Sequence, residues 1–264
     1  MSGEHILFET RVGSLARLTL NRPAARNSLS VAMLEQLHDG ILRLGETPDV
    51  HVIILSGTGP AFCAGHDLRE LTAARLQPDK GQPFFQETMS KCSQLMTAIV
   101  HCPKPVIAQV HGIATAAGAQ LVASCDLAVA ERGARFATPG VNIGLFCSTP
   151  MVALSRNVSR KAAMELLLTG EMIEADEARR IGLINRIAET GSLEEVTEDL
   201  AAQIASKAPA TLRIGKEAFY RQIEMPLTEA YSFASQVMTA NMMLPDAEEG
   251  ISAFLEKREA NWQR

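Results

Sequence analysis

Val106–Asp126, VIAQVHGIATAAGAQLVASCD, constrains this chain more than any other stretch. Val106–Val110 is an apolar strand pattern that follows Cys102-Pro-Lys-Pro105. His111-Gly112 turns the chain, and Ala114-Thr-Ala-Ala-Gly-Ala119 is built of small residues. Ala117–Ser124 then reads as a short helix. A buried strand that feeds a helix through such a turn leaves the N–H groups of the helix start pointing outward. Small side chains let a carbonyl come close to them. The stretch is therefore a candidate oxyanion site.

A second stretch makes the same offer. Val52-Ile-Ile-Leu55 is an apolar strand and Ser56-Gly-Thr-Gly-Pro60 a turn, followed by Ala61-Phe-Cys-Ala-Gly-His-Asp-Leu-Arg-Glu70. Gly65 breaks the chain, His66 sits just past it, and Asp67 is placed to cap a short helix. Either turn taken alone also reads as a plain strand-to-helix connection that needs small residues.

The two stretches together resemble the crotonase family, the enoyl-CoA hydratases and isomerases. Five separated motifs occur in the family's order: Leu20-Asn-Arg-Pro-Ala-Ala-Arg-Asn27, Phe62-Cys-Ala-Gly-His-Asp-Leu68, Gly112 with Ala117-Gly-Ala-Gln-Leu121 and Cys125-Asp126, Phe136-Ala-Thr-Pro-Gly140 with Ile143-Gly144, and Glu249–Arg258. The resemblance implies an α/β fold, a crotonase-like spiral of ββα units at 1–200 with a C-terminal helical trimerisation region at 201–264. It implies an acyl-CoA substrate and a homotrimer or dimer of trimers, with no cofactor beyond the coenzyme A of the substrate and no metal.

The residues also support a recurring unit on their own. Ile6–Thr10 and Leu15–Leu20 flank Val12-Gly-Ser14 as a hairpin. Asn27-Ser-Leu-Ser30 offers caps for a helix carrying Met33, Leu34, Leu37, Ile41, Leu42 and Leu44. A strand at 51–55 follows. A helix at Lys91–Val100, the strand at 106–110 and the helix at 117–123 repeat the pattern, and a strand returns near Leu127–Ala130. Thr72–Phe85, with Pro78-Asp-Lys-Gly-Gln-Pro83, reads as a mobile loop or a surface insertion. From Thr149 the pattern is helical: 149–156, 160–168, 174–181, 192–207, 209–223, 226–240 and 246–258, with a short strand at Ile184–Ala188.

Bulk properties bound the rest. A net charge of −5 without a dense basic tract argues against a nucleic-acid partner. No stretch reaches the ~20 apolar residues of a membrane helix. Five cysteines with no CxxC pair read as buried reduced thiols. MSGEHILFET resembles neither a signal peptide nor an Arg-rich transit peptide, so the expected compartment is the cytoplasm, or the mitochondrial matrix if a presequence is removed.

The resemblance also assigns roles. It makes the backbone N–H groups of His66 and Ala117 the oxyanion donors. It makes Ala25, Arg26, Ala64, Asp67 and Leu68 the lining of the coenzyme A arm, with Gly140 beside the acyl group. Phe254 and Lys257 become contacts to the adenine nucleotide, although Glu256-Lys-Arg-Glu259 also reads as a solvated helix face. Hydratases of the family carry two glutamates, at positions that here hold Gln120 and Gly140. An amide does not titrate near neutral pH and glycine supplies no group. Restoring both glutamates should then raise hydration. His66, Gln120, Cys147 and Ser148 are the remaining polar groups near the inferred pocket, and Asp126 reads as structural.

Overall fold

The computed structural model describes residues 6–262. Strand β1 (Leu7–Val12) folds back antiparallel on β2 (Leu15–Leu20). Ser30 starts α1 (Val31–Glu46): its hydroxyl accepts from the Met33 amide, and Met33, Leu34, Leu37, Ile41 and Leu44 form the buried stripe. Strand β3 (Val52–Gly57) follows, then α2 (Leu68–Arg75) and α3 (Gln82–His101).

These two helices correct the reading of Thr72–Phe85 as a loop. Only 76–81 connects them, and Pro83 sits in the first turn of α3, where its missing N–H would be unpaired anyway. The proline that reads as a breaker is a helix starter here.

Strands β4 (Val106–Val110) and β5 (Ile113–Thr115) precede α4 (Ala117–Ser124), and β6 (Leu127–Glu131) and β7 (Arg135–Ala137) repeat the pair. The chain continues through α5 (Ser148–Asn157), α6 (Arg160–Thr169), β8 (Ile173–Glu174), α7 (Ala175–Ile181) and β9 (Arg186–Ala188). The short strands β5 and β8 carry too few residues to show a period. The strand expected at 184–188 begins at Arg186.

Among the described residues the first sheet runs β1-β2-β3-β4-β6-β9 and the second β5-β7-β8. All pairs of the first sheet after the hairpin are parallel. The turns at β4–β5 and β6–β7 each lay one strand in the large sheet and one in the small sheet, the expected ββα pattern.

Helix α8 (Leu193–Ala205) closes the outer face of the large sheet. Val52 and Ile54 of β3 join Leu193, Leu200 and Ala201 on that face, while Ile53 and Leu55 point into the main core. Both faces are dry, which is why Val52–Leu55 is apolar without alternation. Helices α9 (Pro209–Gln222), α10 (Leu227–Met242) and α11 (Pro245–Glu256) follow, and α9 and α10 contain no buried residue. Lys216 ties α9 to the core by donating to Asp126 (2.6 Å) and to the carbonyls of Ile99 and Lys104.

Candidate active site

The segment before α2 runs beside β5 and bridges it in parallel at Cys63 and Ala114. The Cys63 amide donates to the Ile113 carbonyl (3.1 Å), the Thr115 amide donates to the Cys63 carbonyl (3.0 Å), and the Thr115 hydroxyl reaches the Ala64 carbonyl (3.2 Å). The approach needs Gly118: a β-carbon there would lie 2.1 Å from the Cys63 carbonyl oxygen. Gly65 takes φ +95, and a β-carbon on it would lie 3.0 Å from that of Ala116 and 3.5 Å from the Ala117 nitrogen. Ala116, φ 51 and ψ −118, carries strained backbone into the first turn of α4.

His66 is bridged in parallel to Leu29, with the Leu29 amide donating to Gly65 (2.7 Å) and the Asp67 amide to Leu29 (3.2 Å). In that pattern the N–H of His66 itself faces away from Leu29. Among the described residues, neither the His66 nor the Ala117 amide donates to a backbone carbonyl. Two distant turns thus bring two unpaired amides into one neighbourhood, the second at a helix N-terminus where the dipole favours negative charge.

Asn27 holds this neighbourhood in shape. It is fully buried; its Oδ1 accepts from the Arg22 amide (2.8 Å), and its Nδ2 donates to the carbonyls of Thr58 and Ala61 (2.8 Å each). The Ala64 amide donates to the Arg26 carbonyl (3.0 Å), so Ala25, Arg26 and Ala64 lie together, with the Arg26 side chain exposed and Leu68 exposed one helix start away. The sequence pattern does not single out Asn27 as a site residue. A left-handed backbone (φ 53) at a buried asparagine marks it, but the sequence alone does not display that conformation.

Asp67 caps α2 through the Arg69 amide and pairs with Arg22 at 2.8 Å. Burial pushes its carboxyl up, but the Arg22 guanidinium and the Arg69 amide outweigh burial and hold it below the usual range. Both carboxylate oxygens are therefore engaged within the protein.

Gln120 is buried one turn into α4, and the Cys92 thiol lies 3.8 Å from its Oε1. Gly140 is buried in the turn after β7, where the Leu145 amide donates to its carbonyl (2.9 Å). Burial raises the pKa of the neighbouring Cys147 thiol, opposed by the Gly140 backbone. Ser148 is exposed at the start of α5 and donates to the Phe146 carbonyl (3.3 Å).

The His66 ring differs from all of these. Both its nitrogens are buried without a hydrogen bond of good geometry. Burial lowers its pKa, against a weaker pull from the Leu29 backbone, so the neutral form is favoured.

Phe254 stands 82% exposed on α11 and Lys257 forms its left-handed cap, on a helix packed chiefly against α10. The structure therefore groups Ala25, Arg26, Ala64, His66, Asp67, Leu68 and Ala117 at the joined turns, sets Gln120 just behind them, and leaves Phe254 and Lys257 on a separate element. A cavity of about 460 Å³ between α1, α3 and α9, lined by Glu46, His101, Arg213 and Lys216 among others, shares no residue with the turns.

Residues 10–264 match the family model described as enoyl-CoA hydratase/isomerase. The rat protein "Enoyl-CoA hydratase domain-containing protein 3, mitochondrial" is 48% identical over 248 residues, covering 94% of this chain and 81% of that one. The crystal structure of human enoyl coenzyme A hydratase domain-containing protein 3 superposes with a TM-score of 0.93 at 45% identity, covering 98% of this chain and 100% of that one. That of an enoyl-CoA hydratase from Mycobacterium smegmatis superposes with a TM-score of 0.94 at 50% identity, covering 98% and 99%.

Proposed function

The chain belongs to the enoyl-CoA hydratase/isomerase family, the crotonase superfamily, and from that premise we propose that it binds an acyl-CoA thioester and stabilises an enolate-like state of it. The observation that carries the reading is the pair of unpaired amides, His66 and Ala117, at two turns interlocked through Cys63, Thr115 and Gly118. Negative charge in thioester chemistry at C2 and C3 collects on the carbonyl oxygen. Preorganised donors at that oxygen lower the barrier, and removing one costs roughly 3–4 kcal/mol in a measured case.

Ala25, Arg26, Ala64 and Leu68 would line the coenzyme A arm, with Lys257 and Phe254 meeting the nucleotide from a neighbouring subunit. A homotrimer or dimer of trimers fits the exposed Phe219, Ile223, Tyr231, Met238 and Met242 of α9 and α10. No helix among the described residues is long and apolar enough to cross a membrane. Five free, buried cysteines suit a reducing compartment, cytoplasm or mitochondrial matrix.

Efficient hydration by a glutamate pair is not part of the reading, because residues 120 and 140 supply no titrating acid. The test is turnover over enoyl-, 3-oxoacyl- and malonyl-type CoA esters, with calorimetric binding of the same esters. Turnover of one class supports an enzyme. Binding without any turnover supports a second reading, a non-catalytic acyl-CoA-binding or regulatory protein. That alternative is favoured by Gln120 lying against Cys92 and by the closed turn at Gly140. No binding overturns both.

A further inference from the structure

We propose that the His66 imidazole is the proton-transfer group of this pocket, taking a proton from the carbon beside the thioester carbonyl and giving it back. The inference rests on the acyl-thioester reading above and adds a side chain to what is there a backbone role.

The ring makes no hydrogen bond of good geometry in the protein alone and has only a weak approach to the Leu29 backbone. Among the described residues, the buried side-chain nitrogens and oxygens without a partner are the two of this ring and Thr88 Oγ1. Leaving such a group unpaired costs about 1–3 kcal/mol, and a ligand or a water held with it removes that cost. The ring also springs from the residue whose own amide is one of the two unpaired donors. A carbonyl oxygen held about 2.9 Å from that amide has its C2 carbon about 2.4 Å further on by ordinary bond geometry, so C2 falls within about 5 Å of the His66 backbone nitrogen, a distance a histidine side chain on the same residue can span.

The neighbouring polar groups are otherwise engaged or unsuited. Asp67 is held by Arg22 and the Arg69 amide. Gln120 cannot titrate, Gly140 has no side chain, and Ser148 is exposed and turned to Phe146. Cys147 is a buried thiol whose ionisation burial opposes. A neutral imidazole has one basic nitrogen and one N–H, which is what a transfer in both directions requires.

The step balances without a further reactant. The C2–H bond breaks, its electron pair moves to give an enolate with the charge on the thioester oxygen, and the proton goes to the basic nitrogen of His66. The imidazolium then returns a proton to C2, or to C4 when the acyl chain is a 3-enoyl one, which shifts the double bond.

The full chain would be incubated in D2O with butyryl-CoA and with 3-hexenoyl-CoA. Deuterium at C2 is followed by mass spectrometry, and affinity for both esters by calorimetry. His66→Phe and His66→Gln both keep the backbone amide. The expected result is exchange by the parent that falls about 10²–10⁴-fold in both variants, with Kd changed less than about threefold. If His66→Phe fails to fold, His66→Gln alone decides. Exchange unchanged in a folded variant overturns the proposal. So does parent protein that binds the esters without exchange, which leaves the binding reading standing. Parent protein that binds neither ester overturns both readings.

Discussion

Cys147 lies where a side chain at residue 140 would begin: a β-carbon on Gly140 would come within 2.9 Å of its Sγ, and within 2.6 Å of the Leu145 carbonyl oxygen. The second contact is with backbone, which cannot rotate aside. Residue 140, where the sequence resemblance expects a glutamate in a hydratase, is thus closed as well as empty, and the turn from Pro139 to Cys147 is built on that closeness.

Gly140→Ala should therefore destabilise the protein by about 1–3 kcal/mol, the cost of forcing extra atoms into a packed site. The denaturation midpoint checks it. Gly140→Glu should cost more, and the double variant with Gln120→Glu should show no gain in crotonyl-CoA hydration. This reverses what the sequence suggested. A hydration rate above the parent's would mean that the 140–147 turn opens easily.

Asn27 should be among the costliest polar side chains to truncate. Asn27→Ala leaves the Thr58 and Ala61 carbonyls and the Arg22 amide without their partner. At about 1–3 kcal/mol for each buried group left unsatisfied, part of which water can relieve, the loss is expected at several kcal/mol. Thermal unfolding measures it. Loss of acyl-CoA affinity in the same variant, under conditions where it is still folded, would follow if the turn bearing Ala64 moves with it.

These two residues also show where the sequence was legible. Ser30 as a cap, the Val52–Leu55 and Val106–Val110 strands and the helices after Thr149 follow from local pattern, because capping and burial act over a few residues. Gly118 and Gly140 are small for opposite-looking reasons that only packing reveals: one lets two turns meet, the other is covered by Leu145. The Thr72–Phe85 stretch misled because proline and glycine end one helix and begin the next in nearly the same residues. Asn27 was hidden because its three partners come from residues 22, 58 and 61, and nothing local announces such a pairing.

Lys216→Met should destabilise by about 3–5 kcal/mol, the usual cost of removing one partner of a buried ion pair. Asp126 would keep the Tyr220 hydroxyl and the Val106 amide but lose its cation. Hydrogen exchange in α9 should accelerate most, since Lys216 joins that helix to the carbonyls at Ile99 and Lys104. Adding Asp126→Asn should recover part of the loss. A single variant as stable as the parent would show that the pair contributes nothing.

The single tryptophan reports on the C-terminal tail. Trp262 donates to the Ser206 carbonyl (2.8 Å) and packs over Gly250. Glu249 anchors the same tail through Arg258 and the Asn261 amide. The Arg258 guanidinium holds its carboxyl down at about 2, from an ordinary 4.5. A carboxyl lowered in the folded state stabilises above its unfolded value, and that contribution is lost as pH falls through the folded one. Trp262 emission should shift red between about pH 4.5 and about 2, and Glu249→Gln should shift it already at pH 7. An emission unchanged by that substitution would detach Glu249 from the tail.

Gly118→Ala is the sharpest test of the joined turns. The new methyl would meet the Cys63 carbonyl oxygen at 2.1 Å, so either α4 or the Cys63–Gly65 segment must move. The bond from the Thr115 amide to Cys63 resists that motion, and Ala117 lies at the point of displacement. If the His66 and Ala117 amides act together as proposed, a shift of about 1 Å between them is enough to lose on the order of 10²-fold in rate. If Ala25 and Arg26 line the coenzyme A arm as proposed, acyl-CoA affinity should weaken less than turnover or C2 exchange. Separate measurement of acyl-CoA affinity and exchange rate would show this split, while equal loss in both would place the amides outside the reaction.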